Sequence, residues 1–223
     1  MRKRPVITVD GPSGAGKSTV AKALASALGY EYMDTGAMYR AVAYAYSREQ
    51  EKPDLGAFLQ MLALRFVFGK PIQVFLNGED ISQKIRTQEI SMLASTLSQD
   101  PRVRSYLTAM QRELGKDGGF VLEGRDTGSV VFPDAEVKFY LDADVDVRAR
   151  RRHLELGGGP PDGAAGDALE KVKIEIEKRD KDDSERELAP LTRPRGAHYV
   201  DTTRLDIEGM TELLKRYVEQ VLG

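Results

Sequence analysis

A chain of 223 residues that is 41% hydrophobic has the length and apolar content for one α/β domain with an inserted subdomain. Its formal net charge of -2 excludes a protein that wraps a nucleic-acid duplex, because neutralising many phosphates needs a clear basic excess. The absence of cysteine excludes disulfides and thiolate metal sites and suits a reducing compartment, and there is no stretch of about twenty apolar residues to span a bilayer.

The opening Met1-Arg2-Lys3-Arg4 is basic like the start of a signal peptide, but the apolar run after it stops at Asp10, too soon for one. That run, Val6 to Asp10, reads as a buried strand. Next comes Gly11-Pro12-Ser13-Gly14-Ala15-Gly16-Lys17-Ser18-Thr19, which fits G-x-x-x-x-G-K-[ST] and opens a helix over Lys17 to Leu28. In that setting the glycines let the backbone wrap a polyphosphate with its N–H groups inward, and the helix N-terminus adds partial positive charge. Lys17 would reach the β- and γ-phosphates and the Ser18 hydroxyl would hold Mg²⁺, so the chain is expected to bind a nucleoside triphosphate.

A second strand over Tyr30 to Met33 leads through Asp34-Thr35-Gly36 into a helix over Ala37 to Arg48. Arg65 to Ile81 reads as a hairpin, with Phe66, Phe68, Ile72, Val74 and Leu76 alternating with polar residues and Asn77-Gly78 as a tight turn. It interrupts the alternation of strand and helix and so marks an insertion. A helix over Val103 to Leu114, strands over Phe120 to Glu123 and Val137 to Leu141, and a helix over Asp144 to Leu156 follow. Gly157 to Gly166 lacks apolar content and reads as a mobile loop. A helix over Ala168 to Glu187, a strand over His198 to Val200 and a helix over Asp206 to Leu222 complete the chain. The alternation predicts an α/β fold: five parallel strands flanked by helices, with the ligand crevice at the strand C-termini.

Arginines beside turns suggest a second anion. Arg40 lies one turn into its helix, and Arg125 and Asp126 stand just past a buried strand. Two forked guanidiniums would clamp a dianionic monophosphate better than lysines. The charge run over residues 177–186 contains i,i+4 pairs, Arg179 with Asp183 and Asp182 with Arg186, and on pattern alone reads as a solvated helix face. An arginine-rich helix that opens into a loop is nonetheless what a lid needs, since closure would bring positive charge onto a transferring phosphoryl group and exclude water. His153 and His198, the only histidines, are too far apart in sequence to favour a zinc site or a histidine triad. Tyr39, Tyr44, Tyr46, Met92 and Leu93 read as packing residues. A guanine-reading N-K-x-D motif is impossible, because Asn77 is the only asparagine and Gly78 follows it; no glutamate follows Asp142 to support a mechanical ATPase.

The segments GPSGAGKST, DTGAMYR, IRTQEIS, PRVR, GRDTGSVVFPDAEVKFYLDA and KRDKDDSERELAPL occur in the order and approximate spacing of the bacterial cytidylate kinases, which the chain resembles from Pro5 to Asp201. The resemblance implies a P-loop nucleoside monophosphate kinase: one domain over 1–223, an NMP-binding region with the hairpin insertion over about 36–115, and a lid over about 148–187. It implies phosphoryl transfer from ATP to CMP or dCMP by a cytoplasmic monomer, with small-molecule partners and neither nucleic acid polymer nor membrane. By the same likeness Arg40, Arg125 and Arg186 hold the acceptor phosphate and join Lys17 in the catalytic set. Ser95, Arg104 and Asp126 read the cytosine edge, and Arg179 and Asp183 contact the ribose. Thr35, where a serine is common, belongs to the same acceptor site. Arg148, Arg150, Arg151 and Arg152 fall in the lid, and Asp10, Asp34 and Glu123 are candidates for the outer shell of Mg²⁺. The Gly-Pro loop departs most from the family pattern, with smaller departures at Ser129 and Arg195-Gly196.

Overall fold

A computed structural model describes residues 2, 4–69, 72–159 and 164–223. Its strands are β1 (Val6–Asp10), β2 (Glu31–Asp34), β3 (Leu64–Val67), β4 (Gln73–Leu76), β5 (Glu79–Asp80), β6 (Phe120–Gly124), β7 (Val137–Asp142) and β8 (His198–Asp201). Its α-helices are α1 (Lys17–Leu28), α2 (Thr35–Ser47), α3 (Leu55–Met61), α4 (Gln88–Leu97), α5 (Pro101–Gly115), α6 (Val145–Glu155), α7 (Ala164–Glu185) and α8 (Ile207–Leu222).

Five strands form a parallel sheet in the order β2-β6-β1-β7-β8. Its central strand, β1, is buried along its whole length because the sheet is covered on both sides. Alternate residues serve opposite faces. Ile7, Val9, Val121 and Phe139 pack with Leu24 of α1 and Leu214 of α8, whereas Val6 and Leu122 pack with Met38 of α2 and Leu107 of α5. A second, antiparallel sheet of order β3-β4-β5 lies on α2 and α4, where Val74, Leu76 and Ile81 bury against Ala41 and Ala94.

The differences from the sequence reading have local causes. Asn77 and Gly78 both adopt positive φ, 50° and 85°, and this primed turn joins β4 to β5, so the predicted hairpin is a three-stranded meander. Residues 70–71 of that segment lie outside the described ones. Helices α3 and α4 escaped the periodicity reading, yet each begins at a readable cap: Asp54 accepts from the Ala57 N–H and Thr87 from the Ile90 N–H. Helix α2 starts early, at Thr35, because Asp34 caps it through the Ala37 N–H. Helix α7 begins at Ala164, so the end of the predicted loop is helical; its residues 160–163 lie outside the described ones. Met92 is 65% exposed on α4 rather than packed, while Leu93 does join the core.

Phe139 is fully buried at the middle of β7, edge-on to the rings of Tyr217 and His198. Phe139→Ala should therefore lower the unfolding free energy by about 3–5 kcal/mol in a urea titration, the cost of an aromatic-sized cavity. A loss within the error of that titration would mean the core closes over the gap.

Candidate active site

The chain leaves β1 through a turn that only glycine permits. Gly11 has φ of 146°, and a Cβ there would sit 2.0 Å from the Leu141 carbonyl oxygen. The loop then feeds α1, whose entry residue, Gly16, makes no side-chain cap, and no acidic residue occupies the first turn. Helices α2, α3, α4, α5, α6 and α8 all have an Asp or Thr side chain accepting at this position. The open N–H groups of α1 leave its positive end available to an outside anion.

This loop forms one wall of a cleft of about 210 Å³ at the C-terminal edge of β1, β2 and β6. Ser13, Gly14, Gly16, Lys17, Ser18 and Thr19 line it; Gly11, Pro12 and Ala15 lie behind them as the loop's support. Lys17 turns back to donate to the Pro12 carbonyl at 2.5 Å. Burial, reinforced by the nearby Arg125 charge, pulls its ammonium down to about 7. The Ser18 hydroxyl donates to Glu123 Oε1 at 2.6 Å, and the Tyr32 hydroxyl donates to the same oxygen at 2.8 Å. Of the three carboxylates considered near Mg²⁺, only Glu123 touches Ser18. Asp34 is taken up by Arg40 and the cap of α2, and Asp10 by the backbone after Asp126.

The opposite wall gathers Thr35 and Arg40 from α2, Ser95 from α4, Arg104 from α5, Arg125 and Asp126 after β6, and Arg179, Asp183 and Arg186 from α7 and its end. An alternating chain of charge links five of them. Asp126 accepts from Arg104 at 2.5 Å and from Arg186 at 3.4 Å; Asp183 accepts from Arg186 at 3.3 Å and from Arg125 at 3.0 Å. Arg125 also donates to the Ser13 hydroxyl at 2.9 Å, so the network reaches the glycine loop. Removing one partner from such a buried pair costs about 3–5 kcal/mol, because the other charge is left uncompensated. Arg40 pairs with Asp34 at 3.0 Å, and the Thr35 hydroxyl donates to the Glu123 carbonyl at 2.7 Å, which ties α2 to the end of β6. Arg179 forms no ion pair among the described residues: its Nε is buried without a hydrogen-bond partner, and burial together with Arg125 pulls it down to about 10.

Neither of the two i,i+4 pairs named for the charge run forms an ion pair, although Lys181 comes within 4.0 Å of Glu185 at that spacing. Arg186 reaches Asp183, one helical step nearer than Asp182, because Asp182 points to solvent while Asp183 faces the cleft. The run is thus solvated on one side only. Of the four arginines assigned to a lid, Arg152 lines the cleft. Arg148 is bound to the Ser13 carbonyl at 3.0 Å and to Asp180, and Arg151 to the Thr202 and Leu205 carbonyls at 2.7 and 3.1 Å. Those two fasten α6 to the body of the protein, and Arg150 is exposed. Several groups at the site escaped the sequence reading, Ser91, Ser98 and Glu155 of the cleft lining among them. Tyr39 lines the cleft beside Arg104, and Asp180 accepts from the Ser13 N–H at 2.9 Å. Asp180 lies three residues before Asp183, a spacing that puts both on one helix face.

Seven basic side chains line the cleft against five acidic ones, in a chain whose formal net charge is -2, so positive potential is concentrated here. Phosphoryl groups are ligands that both walls can engage at once, one with backbone N–H groups and lysine, the other with guanidiniums, and the protein is accordingly a P-loop phosphotransferase. A model of the cytidylate kinase family matches residues 7–220, and the chain belongs to that family. It is 47% identical over 225 residues to the cytidylate kinase of Citrifermentans bemidjiense, covering 98% of this chain and 94% of that protein. It is 43% identical over 230 residues to the cytidylate kinase of Geobacillus sp., with both chains covered in full. Among solved structures, an uncharacterized protein from Eubacterium ventriosum shares the fold, with a TM-score of 0.54 at 13% identity over 97% of this chain and 99% of that one. Among the described residues no helix is long and apolar enough to cross a membrane.

The folded Lys17 holds its proton less tightly than an unfolded lysine does. The cost of burying its charge is therefore fully present below pH 7 and is relieved as pH rises from about 7 to 10.4. Side-chain NMR of the ligand-free protein should show one lysine titrating near pH 7 that is missing from a Lys17→Met variant. If every lysine titrates in the ordinary range of about 10 to 11, the ammonium is solvated and this account of the loop is wrong.

Proposed function

We propose that the protein transfers the γ-phosphoryl group of ATP to CMP or dCMP, giving ADP and the corresponding diphosphate. The observation that carries this reading is that the nine residues assigned to the acceptor line the same cleft as Lys17 and Ser18. The loop N–H groups and Lys17 would hold the donor phosphates. Arg40, Arg125 and Arg186 would align the acceptor phosphate, exchanging part of their carboxylate pairing for phosphate oxygens, and Arg179 and Asp183 would hold the ribose.

Recognition of the base rests on Asp126, Arg104 and Ser95. Cytosine offers an amino donor at C4 beside an unprotonated N3, whereas uracil offers an acceptor at O4 and a donor at N3. A carboxylate that accepts from the amino group and a guanidinium that donates to N3 or O2 favour cytosine, because the wrong base leaves buried groups unpaired at about 1 to 3 kcal/mol each. Arg104 already holds Asp126 in place, so this reader is organised before the nucleotide arrives.

The acceptor phosphate oxygen is itself a competent nucleophile, so alignment and charge neutralisation supply the rate and no general base is required. The hard oxygen pair of Ser18 and Glu123 suits Mg²⁺, and no group of three potential ligands among His, Cys, Asp and Glu occurs among the described residues, which fits an ion that takes most of its shell from phosphate and water. When bound, Mg²⁺ supplies positive charge to the donor phosphate oxygens. Residues 36–115 would serve as the acceptor-binding region and 148–187 as the lid, with Arg152 the one of the four α6 arginines that lines the cleft. The reading of a cytoplasmic monomer rests on the family likeness and on the cysteine-free composition.

A coupled assay for ADP release should show CMP and dCMP turned over faster than UMP, AMP or GMP; a preference for UMP would refute the base assignment. Arg125→Ala should lower turnover by roughly 10²–10³-fold while the KM for ATP stays within about threefold, and an unchanged rate would remove Arg125 from the acceptor site.

A further inference from the structure

Asp10 ends β1 directly before the first glycine of the loop, is fully buried, and lies outside the lining of the cleft. Its carboxylate nevertheless meets three donors from one short segment. Oδ1 accepts from the Thr127 N–H at 2.8 Å and the Thr127 hydroxyl at 2.7 Å, and Oδ2 accepts from the Gly128 N–H at 2.7 Å. These residues open a single π-helical turn, Thr127–Val131, that begins immediately after Asp126 and closes on it: the Asp126 carbonyl accepts from the Val130 and Val131 N–H groups at 2.9 and 3.2 Å.

Among the described residues no cation forms an ion pair with Asp10. The charged and titratable groups that bear on it are the Asp126 carboxylate, at the start of the turn, and the Tyr140 phenol on β7, whereas Arg104 and Arg186 are spent on Asp126 itself. An ion buried among two backbone N–H groups and one hydroxyl, with no opposite charge, is a poor way to stabilise a fold and an effective way to hold a backbone segment at a fixed place. The fit is close. A Cβ on Gly128 would come within 2.5 Å of the Thr8 hydroxyl oxygen and 3.2 Å of Asp10 Oδ2, and one on Gly124 within 2.7 Å of both Thr127 Cγ2 and the Thr35 hydroxyl oxygen.

We infer that Asp10 is a positioning residue for base recognition: its carboxylate anchors the turn that aims Asp126, and so sets the base reader in register with the donor loop that starts at Gly11. The inference rests on the cytidylate kinase reading of the site. Asp10 itself touches neither nucleotide. It acts through the Thr127–Gly128 backbone, which makes one residue answerable for the distance between the two halves of the site.

The test compares Asp10→Asn, Gly128→Ala and Thr127→Val with the wild-type enzyme, measuring kcat and KM for CMP, UMP and ATP and recording thermal unfolding. Asp10→Asn sets an amide NH₂ against a backbone donor, and Gly128→Ala displaces the turn with the carboxylate intact. Both should lower the ratio of kcat/KM for CMP to that for UMP by about tenfold or more, through the KM for CMP, while the KM for ATP stays within about twofold. Thr127→Val removes one of three donors and should move the ratio the same way by a smaller factor. A fall in kcat/KM by the same factor for CMP and for UMP, as a general loss of folded enzyme acting through kcat would give, would overturn the inference. If Asp10→Asn fails to fold, Gly128→Ala and Thr127→Val decide. A wild-type CMP preference that persists in the folded variants defeats the positioning role alone; a wild-type enzyme that ignores CMP defeats the functional reading and this inference with it.

Discussion

Arginines cannot be crowded into one partly buried cleft unless something offsets their mutual repulsion. Arg104 and Arg186 disfavour each other's charge, as do Arg125 and Arg179. Asp126 and Asp183 make the cluster tolerable by standing between the guanidiniums, each shared by two of them. The price is desolvation, which in buried ion pairs consumes much of the Coulombic gain. What the network secures is geometry: carboxylates hold the guanidinium planes in place in the ligand-free protein.

That network depends in turn on the sheet. Parallel strands end at a common edge, so residues far apart in sequence, from α2, α5, the end of β6 and α7, converge above it without any long excursion of the chain. The central strand carries two signals in succession: Asp10, which grips the turn after Asp126, and Gly11, which lets the chain fold back beneath Leu141. The uncapped start of α1 follows from the same economy of donors, since a side-chain cap would fill the place an anion needs.

Helices α6 and α7 are attached differently from the rest. Their shared apolar cluster is small, built from Ala149, Val172 and Ile176 with Leu169 against it. Their ties to the loop are polar: Asp180 to the Ser13 N–H, Arg148 to the Ser13 carbonyl, and Asp183 to Arg125. The pair is therefore held to the loop by largely buried charge pairing in place of apolar area, so its attachment depends on each partner keeping its geometry. Ser13 is where the pair meets the loop, with its N–H, carbonyl and hydroxyl each engaged by a different residue.

Much of this architecture is written locally. The buried strands, the glycine loop and the α1 span can be read from short-range pattern alone, because apolar runs, left-handed glycines and helix periodicity act within a few residues of each other. Arg40 and Arg125 can be set beside a second anion from their turns, whereas Ser95, Arg179, Asp183 and Arg186 come from family likeness alone, since a charge run on a helix looks alike whether it faces a ligand or solvent. The readable caps Asp54 and Thr87 mark two helices that hydrophobic period did not. By itself the sequence determined the fold class, the family and the glycine loop between β1 and α1. Tertiary structure alone decided which carboxylate each arginine meets, that Asp183 rather than Asp182 faces the cleft, that Arg148 and Arg151 fasten α6 to the body, and that Asp10 grips the turn after Asp126. Charge pairing acts over a few ångströms in space between groups many residues apart, and only the packed helices bring those groups within range.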